Sequence, residues 1–396
     1  MRIEPVDNEL TAGSAPADNQ SASVNRRPAP GIFVASTGQH VGKTTTSLGL
    51  FSALMKRVGT VAFMKPVGQE LVKVDTSERV DKDTVLFHRR FNLKDRYTDM
   101  SPVTFPKGFT RDVVDGVVDI HTLEHRIRQS FLALEETSDM VLAEGTGHVG
   151  VGSIAGLDNA RVAQILGLPV VMIVSGGLGS AFDSLALNKH ACDRAGVPIA
   201  AVVLNRVLDD KREMVVDYMG RALARWNIPL LGAIPYNEVL ASLRMDDYAS
   251  LFKVPLLTGD THRYRHFEHV RLVATTNEVF EQTIERRQLT ITPASRRDII
   301  ESALLKHSEA KASGEPLEPG IIVTGRYEPD AEVVQMLADA DLPMIYVPLN
   351  AFQVMQKISA HTAKIQIEDT AKVDLAIDLV ERHLDVDRLN DLISKR

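Results

Sequence analysis

Residues Ser36 to Thr46 read STGQHVGKTTT, and the stretches on either side belong to two different kinds of element. Before the loop, GIFVAS is an apolar run as long as one buried strand. After it, TTSLGLFSALMKRVG carries apolar residues at helical spacing and closes on a glycine. A strand passing through a glycine-containing turn into a helix leaves the helix's first N–H groups unpaired and facing the turn. Those groups, with the positive end of the helix dipole, solvate anionic oxygens. Lys43 and Thr44 sharpen the expectation, because a lysine there reaches the outer phosphates of a nucleotide and a threonine holds magnesium.

The loop Thr37, Gly38, Gln39, His40, Val41, Gly42, Lys43, Thr44 and Thr45 is therefore expected to cradle the phosphates of ATP, with Mg²⁺ as cofactor. It departs from the common P-loop spacing at its first glycine. Counting back from Gly42, that position is Thr37, and Gly38 follows one step later. A strand-to-helix turn with no ligand is the competing reading.

The same grammar repeats along the chain. Apolar runs recur at Val61–Met64, Met140–Ala143, Val170–Val174, Ile199–Leu204 and Leu230–Ile234, separated by helix-like stretches such as LDNARVAQILG. Non-alternating apolar strands between helices predict a P-loop NTPase-type parallel sheet covered on both faces. Length and the change of pattern near residue 250 predict two domains. Residues 1–29, rich in Ser, Ala, Asn, Asp and Pro, are expected to be a disordered tail. Residues 30–250 are expected to form the nucleotide-binding domain, 251–284 a helical connector, and 285–396 a smaller α/β domain with a C-terminal helix.

ASTGQHVGKTTTSLGL followed by FMKPVGQ resembles dethiobiotin synthetase. More closely, it resembles the dethiobiotin-synthetase-like N-terminal region of long bacterial phosphate acetyltransferases. AEGTGHVG and VLNRV…LGAIP extend the resemblance over roughly residues 31 to 240. It implies that Lys65 serves substrate and the transferring phosphate, with a solvated loop lysine as the competing reading. Gly145 and Gly147 would let the backbone approach substrate, or simply make a turn. The resemblance further implies that Asp83 and Glu144 join Thr44 around Mg²⁺, with Asp81 a near-equal alternative to Asp83, and that Asn205 reads the adenine edge, a plain Asx turn being the competing reading. Where the synthetase loop carries an acid this chain has His40, a poorer ligand for magnesium. ITPASRRDIIESAL and GIIVTGRYEPD resemble the DRTGG domain, a module associated with dimerisation and ligand sensing. Arg297, Asp298, Thr324 and Gly325 are its candidate sensor positions, and capping and turn formation explain them almost as well.

Other signals mainly exclude. A formal net charge of −7 does not suit a polyanion partner, so no nucleic acid is expected. No apolar run reaches the ~20 residues that span a bilayer, so no membrane partner is expected. The single cysteine, Cys192, allows no internal disulfide and fits a cytoplasmic setting. Cys192 and Trp226 are expected to pack in the core. His262, His266 and His269, like His121 and His125, fall at helical spacing and are expected on exposed helix faces.

The expected function is a regulatory or sensing module that binds Mg-ATP, with an unknown small-molecule ligand or partner protein and a homodimeric assembly. An ATP-dependent ligase of dethiobiotin-synthetase type is the alternative, with Lys43 and Lys65 as catalytic residues. A subunit of a split phosphate acetyltransferase is a third reading. Acetyl transfer by this polypeptide alone is not expected, since 396 residues leave no room for that catalytic domain.

Overall fold

The apolar runs from residue 31 to 235 become one parallel sheet. Its strands are β1 (Gly31–Ser36), β2 (Val61–Met64), β3 (Met140–Glu144), β4 (Val170–Ser175), β5 (Ile199–Val207) and β6 (Leu230–Pro235). The computed structural model describes residues 30–75 and 78–394, and the expected disordered tail, 1–29, lies outside them. The strands stand in the order β6-β5-β4-β1-β3-β2, and all neighbouring pairs are parallel. β1, β2 and β3 are buried along their whole length, as their unbroken apolar pattern requires. The strand order reverses at β1, which has β3 on one side and β4 on the other. A doubly wound sheet opens its ligand crevice beyond the strand ends at such a point. Helix α1 (Lys43–Val58) starts there.

A second sheet forms from Leu256–Thr258, Met344–Val347, Gly320–Thr324, Gln288–Pro293 and His269–Leu272, in that spatial order. The first of these runs antiparallel to its neighbour, and the other pairs are parallel. Alternate residues feed two apolar layers. Leu289, Ile291, Ile322 and Ile345 face one, while Ile321, Val323 and Met344 face the other.

Two expectations are corrected here. Residues 251–284 are not a helical connector, because Leu256–Thr258 and His269–Leu272 are edge strands of the second sheet and only Asn277–Thr283 within the later part is helical. Pairing of His269–Leu272 with Gln288–Ile291 overrides the helical spacing. For the same reason His262, His266 and His269 do not share a helix face, and His266 instead pairs with Asp369 at 2.8 Å. The other minor expectations match, with Cys192 buried and Trp226 stacked on Phe182.

The second correction concerns the C-terminus. The helices Thr370–His383 and Val386–Ser394 do not complete the second domain. Val373, Val380, Val386, Leu389 and Ile393 join the core of the first sheet. The chain leaves the first domain after β6, builds the second sheet, and returns to close the first. Gly49 on α1 permits that closure, since a Cβ there would lie 2.2 Å from Cβ of Val380. Gly232 on β6 does the same, and its Cβ would lie 2.0 Å from the carbonyl oxygen of His383. The flanking pairs Lys56–Glu381 and Arg57–Asp387 are largely exposed and contribute little beside this apolar contact.

In an unpacked helix, Gly49→Ala would stabilise by about 0.5–1 kcal/mol. Here we expect it to destabilise by about 1–3 kcal/mol through overpacking. Pairing it with Val380→Ala should recover most of the loss. Urea unfolding of the two single mutants and the double mutant checks this, and additive losses would refute the contact.

Candidate functional site

The loop between β1 and α1 has one position only glycine can fill. Gly42 has φ +94°, and a Cβ there would lie 2.1 Å from Nδ2 of Asn205. That amide, at the end of β5, donates to the carbonyl of Val41 at 2.8 Å, and its Oδ1 accepts from the amide of Arg206 at 3.0 Å. Asn205 is thus a buried prop for the loop, and both ends of its amide are engaged by backbone. The expectation that it faces a nucleotide base is not met in this arrangement. Its neighbour Arg206, in the left-handed region at φ +60°, is the residue that reaches the cavity.

Lys43 is the first residue of α1 and only 9% exposed. Its ammonium donates to the carbonyl of Gly147 at 2.6 Å and to Oγ of Ser36 at 3.0 Å. Burial, then repulsion from Lys65, pushes its pKa from an ordinary 10.5 down to about 8, against the pull of Glu144 and Asp83. The first turn of α1 contains no acidic residue, so its positive end is not neutralised locally.

Register places the next group. Met64 sits beside Ala143 in the β2–β3 ladder, so Lys65 and Glu144 follow at the same level of the sheet edge. The Lys65 ammonium donates to Oδ2 of Asp83 at 2.8 Å, to Oε1 of Glu144 at 2.8 Å and to the carbonyl of Gly145 at 3.3 Å. Burial disfavours its charge, but Asp83 and Glu144 outweigh burial and raise its pKa. Burial likewise pushes Asp83 up, and the Lys65 charge more than reverses it.

Asp81 and Asp83 take separate tasks. Asp81 caps the helix Lys82–Arg90 through the amide of Asp83 at 3.0 Å and also accepts from the amides of Gln69 and Glu70. Burial, then the Asp83 carboxylate, still raises Asp81 to about 6.

Glu144 has no solvent exposure. Its Oε1 accepts from Lys65 and, at 3.1 Å, from Oγ1 of Thr44, while its Oε2 is buried with no hydrogen-bond partner. An orphaned buried carboxylate oxygen beside a threonine hydroxyl fits a hard cation. Among the described residues no three His, Cys, Asp or Glu side chains converge as a metal cage. Magnesium suits such a place, because it takes one or two carboxylates and fills its shell with phosphate oxygens and water.

These groups wall one cavity of about 370 Å³. It is lined by Gln39, His40, Gly42, Lys43, Thr44 and Thr45 from the loop, and by Lys65, Asp81, Asp83, Glu144 and Gly147. Thr37, Gly38, Val41 and Gly145, expected at the ligand, do not line it. Thr37 is tied by its amide to the carbonyl of Ile173, and Val41 is buried against Asn205. A Cβ on Gly145 would meet Oδ1 of Asn159 at 2.6 Å, so that glycine makes room for Asn159. Asn159 clasps the loop through the carbonyls of Thr146 and His148, a role without a motif to announce it.

Four residues that no motif marked also line the cavity: Thr362, Ala363, Lys364 and Ile365, from the segment returning from the second domain. In the second domain, the expected sensor positions are occupied locally. Arg297 pairs with Glu301 and Glu332, and Asp298 pairs with Arg296. Thr324 is buried against the carbonyl of Thr292, and the carbonyl of Gly325 accepts from Tyr346.

A glycine loop, lysine and threonine at the reversal point of a parallel sheet define a P-loop NTPase-like α/β protein. The chain belongs to the AAA domain family that matches residues 30–244, and a DRTGG domain matches residues 247–361. It is 25% identical over 374 residues to a phosphate acetyltransferase of Nitratidesulfovibrio vulgaris, covering 92% of this chain and 52% of that one. It is 28% identical over 365 residues to the phosphate acetyltransferase of Deinococcus radiodurans, covering 89% and 50%. The chain therefore spans about half the length of these relatives. An ATP-dependent dethiobiotin synthetase of Xanthomonas oryzae is 28% identical over 208 residues, covering 52% of this chain and 92% of that one. Among solved structures, a putative plasmid partition protein of Borrelia burgdorferi bound to AMPPNP aligns with a TM-score of 0.36 and 16% identity, over 54% of this chain and 90% of that one. Among the described residues no helix is long and apolar enough to cross a membrane.

Keeping Lys43 charged inside the protein costs on the order of 3 kcal/mol below pH 8, given its displacement from 10.5 to about 8. The folded state holds this proton less tightly than the unfolded chain, so the cost fades as pH rises from about 8 to 10.5. Lys43→Met should therefore stabilise the free protein by about 1–3 kcal/mol at pH 7, after the loss of two hydrogen bonds. The gain should vanish by pH 10.5. Chemical denaturation across that range checks it, and a gain independent of pH would refute the burial argument.

Proposed function

We propose that the chain binds Mg-ATP at the N-terminus of α1 and acts as a nucleotide-sensing regulatory module. The observation that carries the reading is the convergence of Lys43, Thr44 and the partnerless Oε2 of Glu144 on one cavity at the helix end. Amides at the start of α1 and the Lys43 ammonium would hold the phosphates, with Lys43 exchanging the Gly147 carbonyl for a phosphate oxygen. Thr44 and Glu144 would hold Mg²⁺, which when bound neutralises phosphate charge. Asp83 would act through Lys65. The relatives' names are consistent with a nucleotide, since one is an ATP-dependent synthetase.

Two observations favour sensing over phosphoryl transfer. An ammonium has three donors, and those of Lys65 meet Asp83, Glu144 and the Gly145 carbonyl. A ligase needs that charge to follow the transferring group. His40, standing where the synthetase loop has an acid, also has its pKa lowered, by burial and by Lys364, Lys43 and Arg206, and so stays neutral. It supplies no negative oxygen to a metal.

Titration calorimetry with Mg-ATP, on the wild type and Lys43→Ala, tests the reading. Loss of the lysine should weaken binding about 100-fold, the scale of a charge-assisted hydrogen bond to phosphate, with the circular dichroism unchanged. Equal affinity in both proteins would refute it. Phosphate release with diaminopelargonate and bicarbonate should stay at background, and dethiobiotin formation would establish the ligase instead.

A further inference from the structure

The cavity at the α1 N-terminus is not built by the first domain alone. After the helix Ala351–Ser359 of the second domain, the chain runs without regular structure until the helix Thr370–His383. Thr362, Ala363, Lys364 and Ile365 from this strap line the same cavity as the loop. The strap is fixed at both sides of that crossing. Ala363 packs against the core of the second domain, while Ile365 and Ile367 pack against the core of the first. Further on, Asp369 caps the returning helix and pairs with His266, which stands on a short strand that pairs with Leu243–Arg244. Lys372 donates to the carbonyl of Ser242 at 2.5 Å. Lys364 therefore lies between two anchored apolar contacts, one in each domain.

The Lys364 ammonium donates to Oε1 of Glu70, and the other oxygen of that carboxylate pairs with Lys82 at 2.7 Å. Glu70 is an exposed partner and Lys364 a half-buried one, so the pair is at the cavity mouth. Burial, then the neighbouring Lys65 charge, lowers the Lys364 pKa. Lys364 also heads the charged groups that act on His40, ahead of Lys43 and Arg206. Its charge acts on Lys43, which is expected to meet the outer phosphates, and feels Lys65 in turn. A partly exposed lysine–carboxylate pair contributes little stability, so an anion presenting several oxygens can displace Glu70.

We propose that Lys364 is a ligand-binding residue supplied by the return strap, which exchanges Glu70 for the terminal phosphate of a nucleoside triphosphate and so lets the domain junction distinguish triphosphate from diphosphate. The inference rests on the nucleotide reading given above. It adds to that reading a discriminating residue and the place where occupancy meets the second domain.

Calorimetry on the full chain with Mg-ATP and Mg-ADP separates the two. The wild type should bind Mg-ATP more tightly than Mg-ADP. Lys364→Ala should weaken Mg-ATP about tenfold while leaving Mg-ADP within about twofold. Lys364→Arg should keep the preference. Glu70→Gln, which leaves the lysine in place and removes its competitor, should strengthen Mg-ATP and not Mg-ADP. Equal losses for both nucleotides in Lys364→Ala, or none, with no change in Glu70→Gln, would overturn the inference while nucleotide binding stands. Failure of the wild type to bind either nucleotide would overturn the nucleotide reading and this inference with it.

Discussion

A carboxylate with no solvent exposure and a buried ammonium group share one edge of this sheet, and the site depends on their mutual neutralisation. Glu144 would be costly alone, as would Lys65. Together with Asp83 they form a bridge in which Lys65 touches both acids at 2.8 Å. Lys43 stands outside that bridge and is held by a carbonyl and a hydroxyl only. This asymmetry explains why the two lysines shift in opposite directions, one raised by its acids and the other lowered by burial and by its cationic neighbour. A lysine that is buried without a carboxylate of its own is the one best prepared to receive an anion.

The course of the chain gives that site a second constraint. Because the helices after residue 370 complete the first core, the second domain is held at both ends by the first. Gly49 and Gly232 give up side chains so that the returning backbone and Val380 can approach. The strap between the two cores cannot move freely without disturbing one of them. Its position across the cavity mouth ties whatever the cavity holds to the packing of both domains.

The parts legible in sequence were those whose chemistry is contiguous. The strand, glycine turn, lysine and threonine around Gly42 lie within one short segment, and each constrains the next. Lys65, Asp83 and Glu144 were legible because each stands at the end of a recognisable strand or the start of a recognisable helix. What could not be read was pairing between distant segments. Asn205 was visible as a residue at a strand end, but its role as a prop under Gly42 depends on a contact across 164 positions. A C-terminal helix was expected, yet a helical pattern names an apolar face and not its partner. The histidines near residue 266 followed a helical spacing that a sheet edge overrode. Lys364 belongs to the same class, since HTAKIQIED carries no periodicity or motif that links it to a loop near residue 40.

The charge pattern of the cavity also bears on how an anion enters. Five basic side chains, Lys43, Lys65, Lys82, Arg206 and Lys364, face four acidic ones, Glu70, Asp81, Asp83 and Glu144. So near a balance means that a polyphosphate does not simply add to a positive well. It competes with protein carboxylates for their lysines, and each exchange leaves a carboxylate behind. At the mouth, Glu70 bears this easily because water and Lys82 remain to it. At the sheet edge, Glu144 has no water, and releasing it would leave a buried charge uncompensated, a cost of several kcal/mol. Under the reading proposed above, a divalent cation would be held at the partnerless Oε2 and would leave the contact of Oε1 with Lys65 in place. The Lys65 bridge then stays intact, and the exchange is confined to the groups that can lose a partner cheaply, Lys43 at the loop and Lys364 at the strap.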